Sequence, residues 1–170
     1  MGNIAIVGFM GTGKSVVASA LAQKLNKSYV STDELIVIKE DQNIHDIFKQ
    51  KGEPYFRKIE SDMVKQASEM ENVVIDCGGG VVISEENVAH LKQKGSVICL
   101  TADPSLIYRR VKGHRHRPLL SAQDPEEAIR RLLKEREAFY ARADASIDTT
   151  TLTVEEVVHK ICFLVEGEKR

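Results

Sequence analysis

The chain alternates between short apolar runs and longer segments in which apolar residues recur at helical spacing. The first helical segment follows the first run and places Val17, Leu21 and Leu25 on one face. Strands that alternate with helices predict a parallel sheet with helices on both faces and right-handed crossovers. The runs that read as strands lie at positions 4–7, 28–31, 73–77, 96–100 and 145–148.

Several predicted helices begin at residues that favour a helix N-terminus. The pairs Asp103-Pro104 and Asp124-Pro125 each supply a capping carboxylate followed by a proline in the first turn. Thr153 and Glu156 have the spacing of a capping box at the start of the last helix. Gly95 is expected to end the helix that precedes the fourth strand.

The segment GFMGTGKS matches the pattern G-x-x-x-x-G-K-[ST] between the first strand and the first helix. Gly8, Gly11 and Gly13 allow backbone N–H groups to converge on an anion at the helix N-terminus, whose partial positive charge favours it. Lys14 is then expected to reach the outer phosphates, and the Ser15 hydroxyl to bind a magnesium ion. The loop predicts nucleotide binding but leaves the phosphate acceptor open.

The composition is that of an ordinary globular protein, with 170 residues, 42% hydrophobic and 29% charged. A formal net charge of −1 gives no indication of a nucleic-acid or membrane surface. Cys77, Cys99 and Cys162 lie in apolar runs without C-x-x-C spacing, which predicts buried free thiols in a reducing compartment. The chain enters its first strand directly, without room for a signal peptide, so we expect a cytoplasmic protein.

Phosphate-binding loops occur in small-molecule kinases, nucleoside monophosphate kinases, GTPases and motor ATPases. This chain lacks the N-K-x-D signature of guanine binding. The basic segment GHRHRPLLS, positions 113–121, is expected to close as a lid over bound phosphates. Because a lid excludes water that would compete as phosphoryl acceptor, the sequence favours a kinase.

Polar residues follow the second and third predicted strands, at the edge where open α/β sheets bind ligands. Asp33 follows the second strand, and the glycine loop Gly78-Gly79-Gly80 follows the third. Arg57 and Glu60 share a helix face, and spacing alone favours a surface ion pair between them. Arg57 and Arg136 could together bind a substrate carboxylate, while Asp33 suits a hydroxyl, so the set indicates a small hydroxy acid.

With these motifs in this order, the chain resembles the shikimate kinase family along almost its entire length. The resemblance implies ATP-dependent phosphorylation of the 3-hydroxyl of shikimate, a step of aromatic amino-acid biosynthesis. It implies a single domain, 1–170, with a three-layer α/β/α P-loop fold, a five-stranded parallel sheet in the order 2-3-1-4-5 and a lid at about 113–124. The matching pieces are GFMGTGKS, the Asp33 region, GEPYFRKIE, CGGG, RPLL and the R-E-x-x-Y from Arg136 to Tyr140.

The resemblance also implies a role for each matching residue. Lys14, Asp33 and Arg117 are implied to be catalytic, with Asp33 taking the proton of the attacking oxygen. Arg117 would descend with the lid. The implied ATP-binding residues are Gly11, Thr12, Gly13, Lys14, Ser15, Val16, Arg110 and Arg117. The implied shikimate-binding residues are Asp33, Arg57, Glu60, Gly78, Gly79, Gly80 and Arg136. The expected partners are ATP with Mg²⁺ and shikimate, with neither nucleic acid nor membrane, and the expected state is a monomer.

The sequence departs from the family pattern at two places. Ser31 stands where relatives carry the first carboxylate of an Asp-x-Asp pair, which helps to hold magnesium through its waters. Asp76 ends the third strand where relatives have a small residue and where other P-loop enzymes keep a magnesium aspartate. We hypothesise that Asp76 and Ser15 hold the magnesium ion; the alternative is that Asp76 caps the glycine loop. The segment Thr149-Thr150-Thr151 replaces an arginine that often lies near adenine.

Two other functions remain open at this stage. A related kinase could act on another hydroxy acid such as gluconate, although the two arginines and the glycine loop argue against it. A kinase-like protein could instead bind nucleotide or substrate with weakened turnover, because Ser31 replaces a carboxylate. The presence of Lys14, Asp33 and Arg117 together favours an active enzyme.

Overall fold

The structure is a computed structural model that describes residues 2–112 and 124–167. Within these residues, five parallel strands form one sheet in the order β2-β3-β1-β4-β5. The five predicted strands and the strand order are therefore confirmed. Of the predicted lid at about 113–124, positions 113–123, with Arg117, lie outside the described residues. The strands are β1 (Asn3–Gly8), β2 (Ser28–Ser31), β3 (Val73–Asp76), β4 (Gly95–Thr101) and β5 (Ala145–Asp148).

Helices connect the strands as the sequence pattern predicts. Asp103, Asp124 and Thr153 each accept a backbone N–H at the start of a helix, which confirms these N-caps. The prediction for Gly95 is wrong, because it begins β4. A side chain there would lie 2.1 Å from the carbonyl oxygen of Asn3, so this pairing with β1 requires glycine. The helices are α1 (Lys14–Leu25), α2 (Thr32–Glu40), α3 (Ile44–Glu69, kinked at Gly52), α4 (Glu85–Gln93), α5 (Pro104–Val111), α6 (Pro125–Tyr140) and α7 (Val154–Gly167).

Alternate residues of each strand point to opposite faces of the sheet, and helices cover both faces. In β1, Ile4 and Ile6 pack against α1 and α7, which contribute residues such as Leu21 and Ile161 to one core cluster. Ala5 and Val7 face α3 to α6 on the other side. Each fully buried Leu or Ile contributes about 1.5–3 kcal/mol to folding. The predicted three-layer α/β/α arrangement is confirmed.

Parallel pairing places the carboxyl ends of β1, β2 and β3 at one edge of the sheet. The glycine-rich loop 9–13 leaves β1 there, and Asp33 lies in the first turn of α2 directly after β2. The glycine loop follows β3 at the same edge. Residues that are far apart in the sequence therefore meet around a single crevice.

All three cysteines are free thiols. Cys77 and Cys99 are buried, as expected, but Cys162 is only partly buried, so the prediction of burial is wrong for it. Cys162 lies on α7 beside Phe163, which is 76% exposed, at the margin of the core cluster under that helix. None of the helices in the described ranges is long and apolar enough to span a membrane.

Thr149 connects the end of β5 to the phosphate-binding loop. Its side chain is buried, and its hydroxyl lies 3.1 Å from the carbonyl oxygen of Thr12 and 3.0 Å from that of Thr101. The backbone N–H of Thr149 also donates to Thr101, at 2.9 Å. The hydroxyl is therefore the contact by which β5 holds the loop at Thr12.

Replacing Thr149 by valine should destabilise the protein by about 1–3 kcal/mol, because the buried Thr12 carbonyl loses a donor while the side-chain shape is kept. Urea denaturation would measure this change. Thr151→Val is the matched control, since Thr151 is exposed two residues further on. Equal stability of the two variants would show that the Thr149 hydroxyl does not anchor the loop.

Candidate active site

The phosphate-binding loop ends in an uncapped helix N-terminus. Gly13, the N-cap residue of α1, has φ 95° and ψ 15° and no side chain with which to cap the first-turn N–H groups. Thr12 folds inward instead, and its hydroxyl donates to the Phe9 carbonyl oxygen at 2.8 Å. The exposed N–H groups and the helix dipole at Gly13 and Lys14 therefore favour an anion in front of α1.

Two basic side chains lie over this loop. The ammonium group of Lys14 donates to the Phe9 carbonyl oxygen at 3.1 Å. From α5, the Arg110 guanidinium donates to the Gly11 carbonyl oxygen at 3.0 Å. Both contacts hold positive charge at the loop, although Lys14 and Arg110 come from different helices, α1 and α5.

Arg57 and Glu60 form an ion pair in which the carboxylate is buried. Nη1 of Arg57 lies 2.8 Å from Oε2 of Glu60, whose side chain is 2% exposed. Glu53 accepts from Nε and Nη2 of the same guanidinium at 3.2 and 3.1 Å. The prediction of a surface ion pair, which spacing alone favoured, is therefore wrong. The kink of α3 at Gly52 and the packing of this helix turn the face into the crevice.

Burial and charge pull the pKa values of this pair in opposite directions. Burial raises the pKa of Glu60 and outweighs the neighbouring Arg57 guanidinium, which lowers it. Burial lowers the pKa of Arg57, but the Glu60 and Glu53 carboxylates raise it by more. The pKa is therefore raised overall, and the guanidinium stays charged. Glu60 therefore holds the charged guanidinium of Arg57 in the wall of the crevice.

The glycine loop packs directly against this guanidinium. A Cβ atom on Gly80 would lie 2.2 Å from Nη1 of Arg57, so any other residue would displace the arginine. A Cβ atom on Gly78 would lie 2.8 Å from Oδ1 of Asp33 and 3.1 Å from Oε1 of Glu60. Both carboxylates and the arginine thus face the loop at close range.

Asp33 is half-buried, and its surroundings raise its pKa. Burial is the main cause and the Asp76 carboxylate adds to it, while Lys14 and Arg57 act in the opposite direction. A carboxylate whose pKa is raised towards neutrality is a better proton acceptor than an exposed one. Asp33 is therefore suited to receive a proton in this crevice.

Ser31 and Asp76, the last residues of β2 and β3, are both polar. Ser31 and Asp76 are partners in the strand register, so they lie side by side. The Ser31 hydroxyl caps α2 by accepting the Glu34 N–H at 3.3 Å. Asp76 is 6% exposed, and its Oδ2 accepts the Tyr29 hydroxyl at 3.0 Å.

Thr32, rather than the Asp76 carboxylate, caps the first N–H of the glycine loop. The N–H of Gly78 donates to the Thr32 hydroxyl oxygen at 3.1 Å, and that hydroxyl lies 3.4 Å from the carbonyl oxygen of Asp76. Thr32 therefore performs the capping role at Gly78, and the magnesium role of Asp76 stays a prediction.

Arg136 reaches the crevice from α6. Its guanidinium carbon lies 5.7 Å from the centre of the Phe9 ring. Arg136 also lies one helical turn before Tyr140 on α6, so the two side chains share a helix face. The Tyr140 hydroxyl in turn donates to the Gly79 carbonyl oxygen at 3.0 Å. The two arginines of the predicted carboxylate site, Arg57 and Arg136, thus lie in the same crevice.

These groups surround one cavity of about 570 Å³. The side chain of Thr12 is buried beneath the loop, and Arg110 contacts the loop from outside this lining. Sequence reasoning missed an apolar wall formed by Met10, Ile44, Phe48 and Phe56, for which the helical spacing around Phe48 was the available signal. The predicted residues that line the cavity are Gly11, Gly13, Lys14, Ser15, Val16, Asp33, Arg57, Glu60, Asp76, Gly78, Gly79, Gly80 and Arg136.

The described residues contain no group of three or more His, Cys, Asp or Glu side chains arranged to hold a metal ion. The cavity does bring together a hydroxyl, Ser15, and a carboxylate, Asp76, with space for phosphate oxygens. Oxygen ligands of this kind fit Mg²⁺, which keeps several waters and completes its shell with substrate phosphates.

Comparison with known proteins matches the chain to one family over most of its length. The family model for shikimate kinase matches residues 10–166. The chain belongs to the shikimate kinase family. It is 42% identical to the shikimate kinase of Thermoanaerobacter pseudethanolicus over 95% of this chain and 94% of that protein. It is 44% identical to the shikimate kinase of Thermodesulfovibrio yellowstonii over 95% of this chain and 93% of the relative.

Solved structures agree with this assignment. The shikimate kinase of Acinetobacter baumannii in complex with shikimate is 32% identical, with a TM-score of 0.93 over 99% of this chain and 95% of that one. The shikimate kinase of Aquifex aeolicus is 34% identical, with a TM-score of 0.82 over 98% and 97% of the two chains. The P-loop fold inferred for the family is therefore shown for this chain.

Replacing Arg57 by methionine should make stability strongly dependent on pH. Without the guanidinium, the pKa of Glu60, already raised in the folded state, rises further. A raised carboxyl pKa favours folding below the unfolded value and loses that contribution as pH rises through the folded value. Breaking a buried pair costs about 3–5 kcal/mol, and we expect about 2–3 kcal/mol at pH 8 because Arg57 is 30% exposed.

Urea denaturation at pH 5 and pH 8 would measure this difference, with a smaller loss expected at pH 5. The double variant Arg57→Met, Glu60→Gln is the control, since it removes the buried ionisable group. Its loss of stability should vary much less with pH. An equal loss for Arg57→Met at both pH values would contradict the role given to Glu60.

Proposed function

We propose that this chain transfers the γ-phosphate of ATP to the 3-hydroxyl of shikimate and that the cavity residues divide this task between them. The observation that carries the proposal is the meeting of Asp33, Arg57 and Arg136 in one cavity with the phosphate-binding loop. A hydroxy acid presents a carboxylate and hydroxyls, which this set matches. The shikimate complex of the Acinetobacter baumannii relative supports the same acceptor.

At the acceptor end, Arg57 and Arg136 would bind the shikimate carboxylate through their guanidinium groups. Glu60 fixes Arg57, so little side-chain entropy remains to be lost on binding. Asp33 would accept a hydrogen bond from the attacking hydroxyl and take its proton. The raised pKa of Asp33 suits that exchange near neutral pH.

At the phosphate end, Lys14 and the N-terminus of α1 would stabilise the charge that spreads over the transferring phosphoryl group. Arg117 would join them when a lid at 113–124 closes, which is a proposal from the sequence. Such catalysis depends on positioning and electrostatics rather than on covalent chemistry. Lys14 should therefore influence turnover, whereas the two arginines should influence capture of shikimate.

Ser15 and Asp76 are the residues proposed to hold Mg²⁺ with the nucleotide. When bound, the ion would neutralise phosphate charge and fix the geometry of the phosphate chain. Asp76 is buried at the end of β3, where P-loop enzymes keep a magnesium carboxylate, and Tyr29 holds one of its oxygens. Asp76 would thus compensate for the serine at position 31.

Changing Asp76 to asparagine should weaken Mg²⁺ binding to the ADP complex by about 10- to 100-fold, as is common when a charged group around a metal is lost. Competition with Mn²⁺, followed by electron paramagnetic resonance, would report affinity independently of turnover. Asp62→Asn is the control, because Asp62 lies on the exposed side of α3. Unchanged affinity in Asp76→Asn would remove Asp76 from the site.

The proposed reaction is tested by ADP release from MgATP with shikimate, with gluconate or with no acceptor. We expect release only with shikimate, because gluconate lacks the rigid ring that places a carboxylate and hydroxyls at fixed separation. Release with gluconate would indicate a kinase for another hydroxy acid. Tight shikimate binding without ADP release would indicate a kinase-like binding protein whose turnover is weakened at Ser31.

The remaining proposals concern the state of the protein. We propose one kinase domain over 1–170, a monomer in the cytoplasm. The free thiols of Cys77, Cys99 and Cys162 support a reducing compartment. Size-exclusion chromatography with light scattering would test the monomer.

A further inference from the structure

Tyr140 is a buried side chain next to the cavity that none of the roles above uses. It is the last residue of α6 and is 9% exposed. Its hydroxyl donates to the Gly79 carbonyl oxygen at 3.0 Å. Arg136 lies one helical turn earlier on the same helix face, where its guanidinium can donate to the phenol oxygen. A phenol has one hydrogen to donate and lone pairs to accept, so both contacts can exist at once.

The contact with Gly79 fixes the orientation of a peptide group in the glycine loop. The Gly79 carbonyl and the Gly80 N–H belong to one trans peptide and point in opposite directions. Because Tyr140 holds the carbonyl on its own side, the N–H of Gly80 is held facing away from Tyr140. Within the described residues, the backbone hydrogen bonds of the loops include none from this N–H. It is therefore a fixed donor in a residue that lines the cavity.

The contact with Arg136 fixes the second half of the acceptor site. Tyr140 lies one turn of α6 after Arg136, so its hydroxyl can accept from the guanidinium, and the Phe9 ring lies 5.7 Å from the guanidinium carbon. These two contacts limit the positions that a long, flexible side chain can adopt. The remaining N–H groups of Arg136 are left for a substrate, and the cost of ordering the side chain is paid on folding.

We propose that Tyr140 is a positioning residue that sets the affinity and carboxylate specificity of the acceptor site. It does so by holding Arg136 and the Gly79–Gly80 peptide in fixed positions relative to each other. This inference rests on the proposed function, since it takes shikimate as the acceptor. Tyr140 itself touches neither reacting atom. Burial raises the pKa of Tyr140 to about 12, so the phenol keeps its proton at neutral pH and can donate to Gly79.

The test is calorimetric titration of shikimate into wild-type protein and into Tyr140→Phe. The variant keeps the buried ring and loses only the hydroxyl. We expect the dissociation constant for shikimate to rise about five- to twentyfold. This is less than the roughly 10- to 150-fold of a lost direct hydrogen bond to a charged group, because the hydroxyl acts on the substrate only through Arg136 and Gly79. Affinity for ADP should change little, while the urea unfolding midpoint should fall, because the Gly79 carbonyl loses its donor. Tyr55→Phe is the matched control, because its hydroxyl contacts Glu40 and Lys51 instead.

The primary amide of shikimate separates positioning from general loosening. If Tyr140 orients Arg136, the preference for the acid over the amide should fall in Tyr140→Phe. In an Arg136→Lys background, the effect of Tyr140→Phe should shrink to the part that acts through Gly79. The kcat at saturating shikimate should fall less than kcat/KM, since binding is weakened more than chemistry.

Two results would overturn the inference. Wild-type affinity for shikimate in Tyr140→Phe would show that the hydroxyl positions nothing. Equal weakening of acid, amide and ADP would show a structural role only. If the wild-type protein itself fails to bind shikimate, the proposed function fails first, and the inference falls with its premise.

Discussion

The parallel pairing of β1 with β3, and of β3 with β2, is the constraint on which the site depends. It places the phosphate-binding loop, Asp33 and the glycine loop at one edge of the sheet. Helices on both faces make this edge rigid, because each strand is buried on two sides. The site therefore inherits its geometry from the core rather than from the loops themselves.

Charge balance within the crevice explains why the site can bind an anion. Lys14, Arg57 and Arg136 line the same cavity as three carboxylates, Asp33, Glu60 and Asp76. The carboxylates are buried or half-buried, and two of them have direct partners: Glu60 contacts Arg57, and Asp76 accepts from Tyr29. Lys14 and Arg57 oppose the rise in the pKa of Asp33. The fold thus keeps Asp33, the proposed base, close to the basic side chains that are proposed to bind phosphate and carboxylate groups.

The proposed magnesium role of Asp76 would let a carboxylate on β3 serve in place of one on the neighbouring strand β2. The register pairing of Ser31 with Asp76 puts these two positions side by side. Ser31 is then free to cap α2, which carries Asp33 in its first turn. A difference from the family pattern therefore need not mean a loss of chemistry.

The sequence by itself determined the strands, three helix N-termini, the phosphate-binding loop and the family, because these depend on local periodicity and on contiguous motifs. It could not decide that Glu60 is buried, since an ion pair three residues apart looks the same on any helix face. Nor could it find the Tyr140 contact with Gly79 or the Thr149 contact with Thr12, which join residues 61 and 137 positions apart. Such contacts exist only once the sheet order has fixed which loops are neighbours, so the tertiary structure decided them.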